Sequence, residues 1–153
     1  MAASTWYLAP GRPTRLLNHV VQALTRIGVS LWGSRVLSVR GRKSGEWRST
    51  PVNVLTLDGE RYLVSARGNT QWVRNLRAVG RGRLTVGRRV EPFEGVEVTD
   101  DAVRVAVLRS YLRRWGWEVG AFFGDVTADS PDDVLRRAAT RHPVFRIVPG
   151  TDE

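Results

Sequence analysis

The densest group of chemically useful side chains in the sequence is Gly41-Arg42-Lys43-Ser44-Gly45, followed closely by Arg48, Ser49 and Thr50. Glycines at both ends of this run let the backbone bend so that amide hydrogens face an anion. Arg42, Lys43 and Arg48 add charge-assisted donors, and Ser44 adds a hydroxyl. The chemistry expected of such a cradle is the holding of a phosphate. It is not a P-loop, whose glycine-lysine pair closes the motif and leads into a helix, so nucleotide hydrolysis is not implied. A solvated hairpin turn has the same composition, and the turn alone does not decide between the two.

Other catalytic constellations are missing. His19 and His142 lie far apart, and neither stands at metal-ligand spacing from a partner, so no metal site is expected. His19 falls on the polar side of a helix and His142 just before Pro143, which suits surface or capping roles. There is no Gly-x-Ser-x-Gly elbow, the carboxylates form no recognisable acid and base pair, and cysteine is absent. Hydrolase and thiol chemistry have no support.

The elements that must position the basic turn follow from periodicity. Leu16, Leu17, Val20, Val21, Leu24 and Ile27 recur at helical spacing, predicting an amphipathic helix over about 13–27 that Gly28 stops. From Val36 to Arg40 the period becomes two, and the turn Gly41 to Gly45 separates that strand from a second, about Arg48 to Leu57. Asp58-Gly59 is a strong hairpin signal joining it to a third strand, Arg61 to Ala66. Thr70 suits the N-cap of a short helix, Gln71 to Ala78, and strands follow at Arg83 to Val86 and Val90 to Val98, with Pro92 expected at an edge or bulge. A helix from Asp101 to Trp115 is expected to end at Gly116. Ser130 caps a shorter helix through Ala139, and Val144 to Val148 is the last strand. This order predicts an α+β fold with a small antiparallel barrel and flanking helices, in one domain over residues 1–153.

Composition sets the class. At 153 residues, 42% hydrophobic and 25% charged, the chain is of ordinary globular type and large enough for one core. Its net charge of +9 is carried almost wholly by arginine, Lys43 being the only lysine, and points to an anionic partner or to a cationic solvated surface. The start shows no basic-then-apolar leader pattern and no uncharged run of spanning length, so a cytoplasmic location is expected. No nucleic-acid recognition signature is present, and nucleic acid is not an expected partner.

The ordered set Val36 to Arg40, Gly41-Arg42-Lys43-Ser44-Gly45, Arg48-Ser49-Thr50-Pro51, Asp58-Gly59, Trp72 and Asn75-Leu76-Arg77 resembles the deazaflavin-dependent nitroreductase family, a branch of the split β-barrel flavin and deazaflavin oxidoreductases. The resemblance covers roughly Leu16 to Val98, with the last strand also in keeping. It implies coenzyme F420 as the cofactor, its phosphate and tail held by Arg42, Lys43, Ser44 and Arg48. Ser49 belongs to the same strand, and Thr50, Pro51, Val52 and Asn53 would pass beside the deazaflavin ring. Val64, Ser65, Ala66 and Arg67, which with Ser49 the resemblance also implies to be cofactor-binding, match a segment that usually ends in lysine, and Trp72, Asn75 and Leu76 match the helix that covers the ring.

The sequence departs from the family in two places. The connection from Gly68 to Trp72 is short, and no tyrosine follows Tyr111, whereas well-studied nitroreductase members have pocket tyrosines near their C-terminal end. Trp115, Trp117, Phe122 and Phe123 stand in that region instead. The expected activity is hydride transfer from reduced F420 to an electron-poor small molecule such as a quinone, enone or nitro compound. No catalytic acid is assigned; Arg67 is the candidate for stabilising charge on the acceptor. The alternatives are a split barrel that binds flavin mononucleotide (FMN) and a non-catalytic F420 carrier. A monomer or homodimer is expected, with peripheral membrane contact through the first helix as a further expectation.

Overall fold

The structure is a computed structural model and describes residues 34–151. The amphipathic helix expected over 13–27, with His19 and the membrane contact assigned to it, lies outside the described residues. Strands β1 (Ser34–Arg40), β2 (Trp47–Leu57) and β3 (Glu60–Val64) come first, followed by helix α1 (Gln71–Val79) and strands β4 (Arg81–Val86) and β5 (Arg89–Glu97). Helix α2 (Asp101–Val119) leads through a 3-10 turn (Gly120–Phe123) to α3 (Asp132–Ala139) and β6 (Val144–Pro149). The six strands close into an antiparallel barrel in the order β1-β2-β3-β6-β5-β4.

Local chemistry explains most of these boundaries. Asp58 and Gly59 both take positive φ, 52° and 80°, which only a short polar residue and a glycine adopt readily, and the hairpin pairs Leu57 with Glu60. Thr70 accepts from the amide of Val73 and Asp100 from those of Ala102 and Val103, so both helices begin with satisfied donors.

Two expected boundaries are corrected. Helix α2 does not end at Gly116 but runs one turn further, because a helical glycine costs only about 1 kcal/mol while Val119 continues the buried stripe of Tyr111, Leu112 and Trp115. Ser130 is not the cap of α3: Pro131 holds that place with no side-chain cap bond, and the Ser130 hydroxyl accepts from the Thr127 amide. Pro92 pairs with Arg83 of β4, while pairing to β6 starts only at Phe93, so the missing N–H falls where the barrel seam opens.

Two apolar clusters hold the fold. Leu37, Val39, Leu63, Leu84, Phe93, Phe145 and Ile147 fill the barrel, with Val73 and Leu76 of α1 closing it. Tyr62, Val64, Leu108, Tyr111, Trp115, Leu135 and Val144 form a second core between the outer wall and helices α2 and α3. Each fully buried large side chain contributes roughly 1.5–3 kcal/mol of transfer free energy. Among the described residues no helix is long and apolar enough to cross a membrane.

Candidate active site

The basic turn sits between β1 and β2, whose register brings Arg40 opposite Trp47. Its backbone differs from the open cradle expected. Gly41 N–H donates to Glu46 O, Gly45 N–H to Gly41 O, Glu46 N–H to Ser44 Oγ and Arg42 N–H to Asn75 Oδ1, at 2.7–3.1 Å. Four amides that could have faced an anion are thus bonded within the protein. The turn is a rigid platform, and its capacity for an anion rests on side chains: Lys43 and Arg48 are exposed, Arg48 standing 3.7 Å from the equally exposed Glu46.

Helix α1 anchors this platform. Asn75 is buried at 3% exposure and its Oδ1 also accepts from Arg42 Nη1 at 2.7 Å, while Gln71 Oε1 accepts from the same nitrogen at 2.9 Å. Gln71 and Asn75 stand four apart, one helical turn, so a single guanidinium reaches both. Sequence reasoning missed Gln71; the i,i+4 amide pair facing a basic turn was the available signal. Trp72 is half-buried and packs on Phe145 with ring centroids 5.9 Å apart. Leu76 is wholly buried against the barrel core, which makes it a packing residue whatever lies above the helix.

Strand alternation divides the β2 candidates. Val52 packs toward the barrel interior, and Arg48 and Thr50 share its side. Ser49, Pro51 and Asn53 lie on the other side, where Ser49 Oγ is 2.8 Å from Ser38 Oγ. Asn53 hydrogen-bonds the phenol of Tyr111, a partner the sequence did not reveal. Tyr111 is fully buried; desolvation, and secondarily the charge of Glu118, push its pKa well above the ordinary phenol value, and the Asn53 bond opposes them. It stays a neutral phenol at any physiological pH.

Beyond β3 the chain turns inward. Val64 and Ser65 are buried, and Ser65 Oγ donates to Gly68 O, closing the short connection to α1. Arg67 lies over the Phe122 ring, 4.7 Å from its centroid. His142 departs from the surface or capping role expected of it. It is 3% exposed, stacks on Phe123 at 3.9 Å, and its Nδ1 donates to Ser65 O at 3.2 Å. Desolvation lowers its pKa to about 4, against the raising effect of hydrogen bonds to the backbone of Ser65 and Ala66, so it is neutral at pH 7. Among the described residues no group of three or more His, Cys, Asp or Glu could hold a metal ion.

A sequence profile described as F420H(2)-dependent quinone reductase matches residues 14–115, two thirds of the chain. The chain belongs to the F420H2-dependent quinone reductase family. Membership implies coenzyme F420 as the cofactor and an oxidoreductase reaction. No curated protein sequence matches. Solved structures similar in fold include a candidate 5-nitroimidazole antibiotic resistance protein from Bacteroides thetaiotaomicron, 10% identical over 78% of this chain and 74% of its own, with a TM-score of 0.53. General Stress Protein 26 from Bacillus anthracis is 14% identical over 86% and 89%, with a TM-score of 0.50. A structure described as an F420-H2 dependent reductase is 20% identical over 75% and 93%, with a TM-score of 0.44.

The residues of this quinone reductase family member fit an anionic cofactor. Lys43 and Arg48 present exposed cations on a turn that hydrogen bonds hold in place, Arg42 is bonded to Asn75 beside them, and half-buried Trp72 adds aromatic surface on the helix that anchors the turn. The family assignment answers to the ordered motifs seen in the sequence and is matched by the closed split-type barrel.

Proposed function

We propose that the protein is an F420H2-dependent reductase that delivers a hydride to an electron-poor small molecule, with quinones as the first acceptor class. The observation that carries this is the family match across residues 14–115, the stretch that contains the basic turn, Trp72 and Asn75. When bound, the reduced coenzyme supplies the hydride. The protein's share is positioning: Lys43 and Arg48 would attract the anionic portion, while Arg42, fixed through Gln71 and Asn75, keeps the turn in register with α1. Thr50 and Val52 on the inner side of β2, and Trp72 across from them, are the residues proposed to flank the ring.

Proton delivery follows from the environment of the remaining polar groups. His142 is neutral and buried, and Tyr111 is an un-ionised phenol already engaged with Asn53. Neither offers a proton at neutral pH as a strong acid would, so solvent protonates the reduced acceptor in this reading. Arg67, held over Phe122, is the group proposed to stabilise negative charge on the acceptor as it forms.

The test is the loss of reduced-coenzyme absorbance with a benzoquinone, an enone and a nitroaromatic as separate acceptors. Quinone-dependent oxidation that falls by about tenfold in Arg67→Ala, at unchanged coenzyme affinity, supports the reading. Tight coenzyme binding with no turnover of any acceptor replaces it with a carrier, and binding of FMN alone replaces it with a flavin protein.

A further inference from the structure

Helix α1 is tied to the barrel on two sides. Gln71 and Asn75 hold Arg42 of the basic turn, and Arg77 reaches the other way, to the end of β5. Arg77 Nε and Nη2 donate to the two carboxylate oxygens of Glu97, each at 2.7 Å, and Nη1 donates to Asn69 Oδ1 at 3.2 Å. The fork on Glu97 is bidentate, which fixes direction as well as distance. The Asn69 backbone oxygen accepts from Arg74 Nε at 3.2 Å, so the same network holds the connection that leads from Arg67 into the helix. The Arg77 and Glu97 side chains keep 37% and 33% of their surface in water, so the pair adds little to overall stability and its effect is on geometry.

Helical geometry decides what these ties control. Asn75 and Arg77 are two residues apart, roughly 200° around the axis, and Trp72, Leu76 and Val73 project between them. The face turned to the barrel therefore has a polar tie on each flank. Apolar contacts are non-directional, whereas hydrogen bonds with defined angles on opposite flanks select one rotation of the helix. Height is set beside them. Gly95 N–H donates to Gly80 O at 3.0 Å, and Leu76 lies so close on β5 that a Cβ at Gly95 would stand 2.8 Å from its side chain. Glu97, two residues along the same strand, pairs with Phe145, the ring on which Trp72 packs. Both ends of the helix thus rest on one register pair of β5 and β6.

We propose that Arg77, held by Glu97, is a positioning residue that sets the rotation of α1 and, through Asn75 and Gln71, the placement of the basic turn for the cofactor, with Trp72 carried along. The consequence for the cofactor rests on the proposed function; the placement of the turn does not.

The experiment uses the full chain and two variants. Glu97→Gln removes the charged fork, and Arg77→Lys keeps the charge and the helix propensity but cannot form it. Backbone NMR without coenzyme reads the Arg42 amide, which donates to Asn75 Oδ1 at 3.1 Å. Fluorescence titration with oxidised F420 reads the assembled site. In both variants we expect the Arg42 amide resonance to move and its exchange with water to quicken by about fivefold, F420 to bind about fivefold more weakly, and the thermal midpoint to stay within about 4 °C of wild type. Changes confined to residues 77–80, with Arg42 unmoved, overturn the proposal, since the pair is then a local contact of the helix end. An Arg77→Lys protein that matches wild type in both readings also overturns it, because charge without the fork then suffices. Unchanged F420 affinity in a variant whose Arg42 amide has moved overturns it as well, since the placement of the turn then has no bearing on the site. A wild type that binds no F420 counts against the proposed function, and the Arg42 reading alone then decides whether Arg77 places the turn.

Discussion

The residues nominated by the sequence include a buried set and an exposed set at the two extremes of a range, and the two behave as different materials. Ser65, Asn75 and Leu76 are buried, and the structure gives the two polar ones intramolecular partners: Gly68 O for Ser65, and the Arg42 amide and guanidinium for Asn75. Lys43, Ser44, Arg48 and Ser49 are exposed. A motif match does not distinguish a residue that holds a ligand from one that holds the residue that holds it. The difference is in desolvation: a buried polar group left without its partner costs roughly 1–3 kcal/mol, whereas an exposed one returns to water at little cost.

The largest expected effect is on the buried side and depends on pH. His142 has its pKa lowered from 6.5 to about 4 in the folded protein, so the unfolded chain binds more protons between those values. Its contribution is intact above pH 6.5 and is lost as pH falls toward 4, by on the order of 3 kcal/mol at most. Urea titrations of wild type and His142→Phe from pH 7 to pH 4 are expected to diverge, with the wild type losing more stability on acidification; parallel curves would remove His142 from the comparison. Next comes Asn75→Ala, which leaves the Arg42 amide without its acceptor and the Arg42 guanidinium with Gln71 alone. A loss of about 2 kcal/mol in chemical denaturation is expected, together with weaker coenzyme binding. An Asn75→Ala protein as stable as wild type would show that the clamp is dispensable.

On the exposed side the direction reverses. Arg48→Ala, at a residue whose contact with Glu46 is solvent-screened, is expected to leave the free energy of unfolding within about 0.5 kcal/mol of wild type. Coenzyme affinity is expected to fall by about tenfold, measured by fluorescence. The smallest effect is expected from Ser130→Ala in stability, a few tenths of a kcal/mol, since its hydroxyl bonds only the exposed Thr127 amide and does not cap α3.

Much of this architecture was legible locally. The Asp58-Gly59 hairpin, the Thr70 cap and the period-two runs each encode their own geometry within a few residues. What escaped were outcomes decided across the chain. Closure of the barrel requires β3 to pair with β6, Leu63 opposite Phe145, and nothing near either residue states it. His142 is drawn inside by the same pairing, which places it under Ser65 O and Phe123. Gly116 failed to end its helix because burial of Val119 outweighed a local preference. In the basic turn the residue types were right for an anion, yet the amides close on the protein itself, a matter of loop conformation that composition does not determine.

The most direct test of the central claim is a fluorescence titration of the intact protein with oxidised coenzyme F420 and, in parallel, with FMN, comparing wild type with a Lys43→Ala, Arg48→Ala variant. Micromolar binding of F420 in preference to FMN, weakened by tenfold or more in a variant that melts like wild type, is the expected result. F420 binding unchanged in that variant, or a preference for FMN, would contradict the assignment of the basic turn as the anchor of the cofactor.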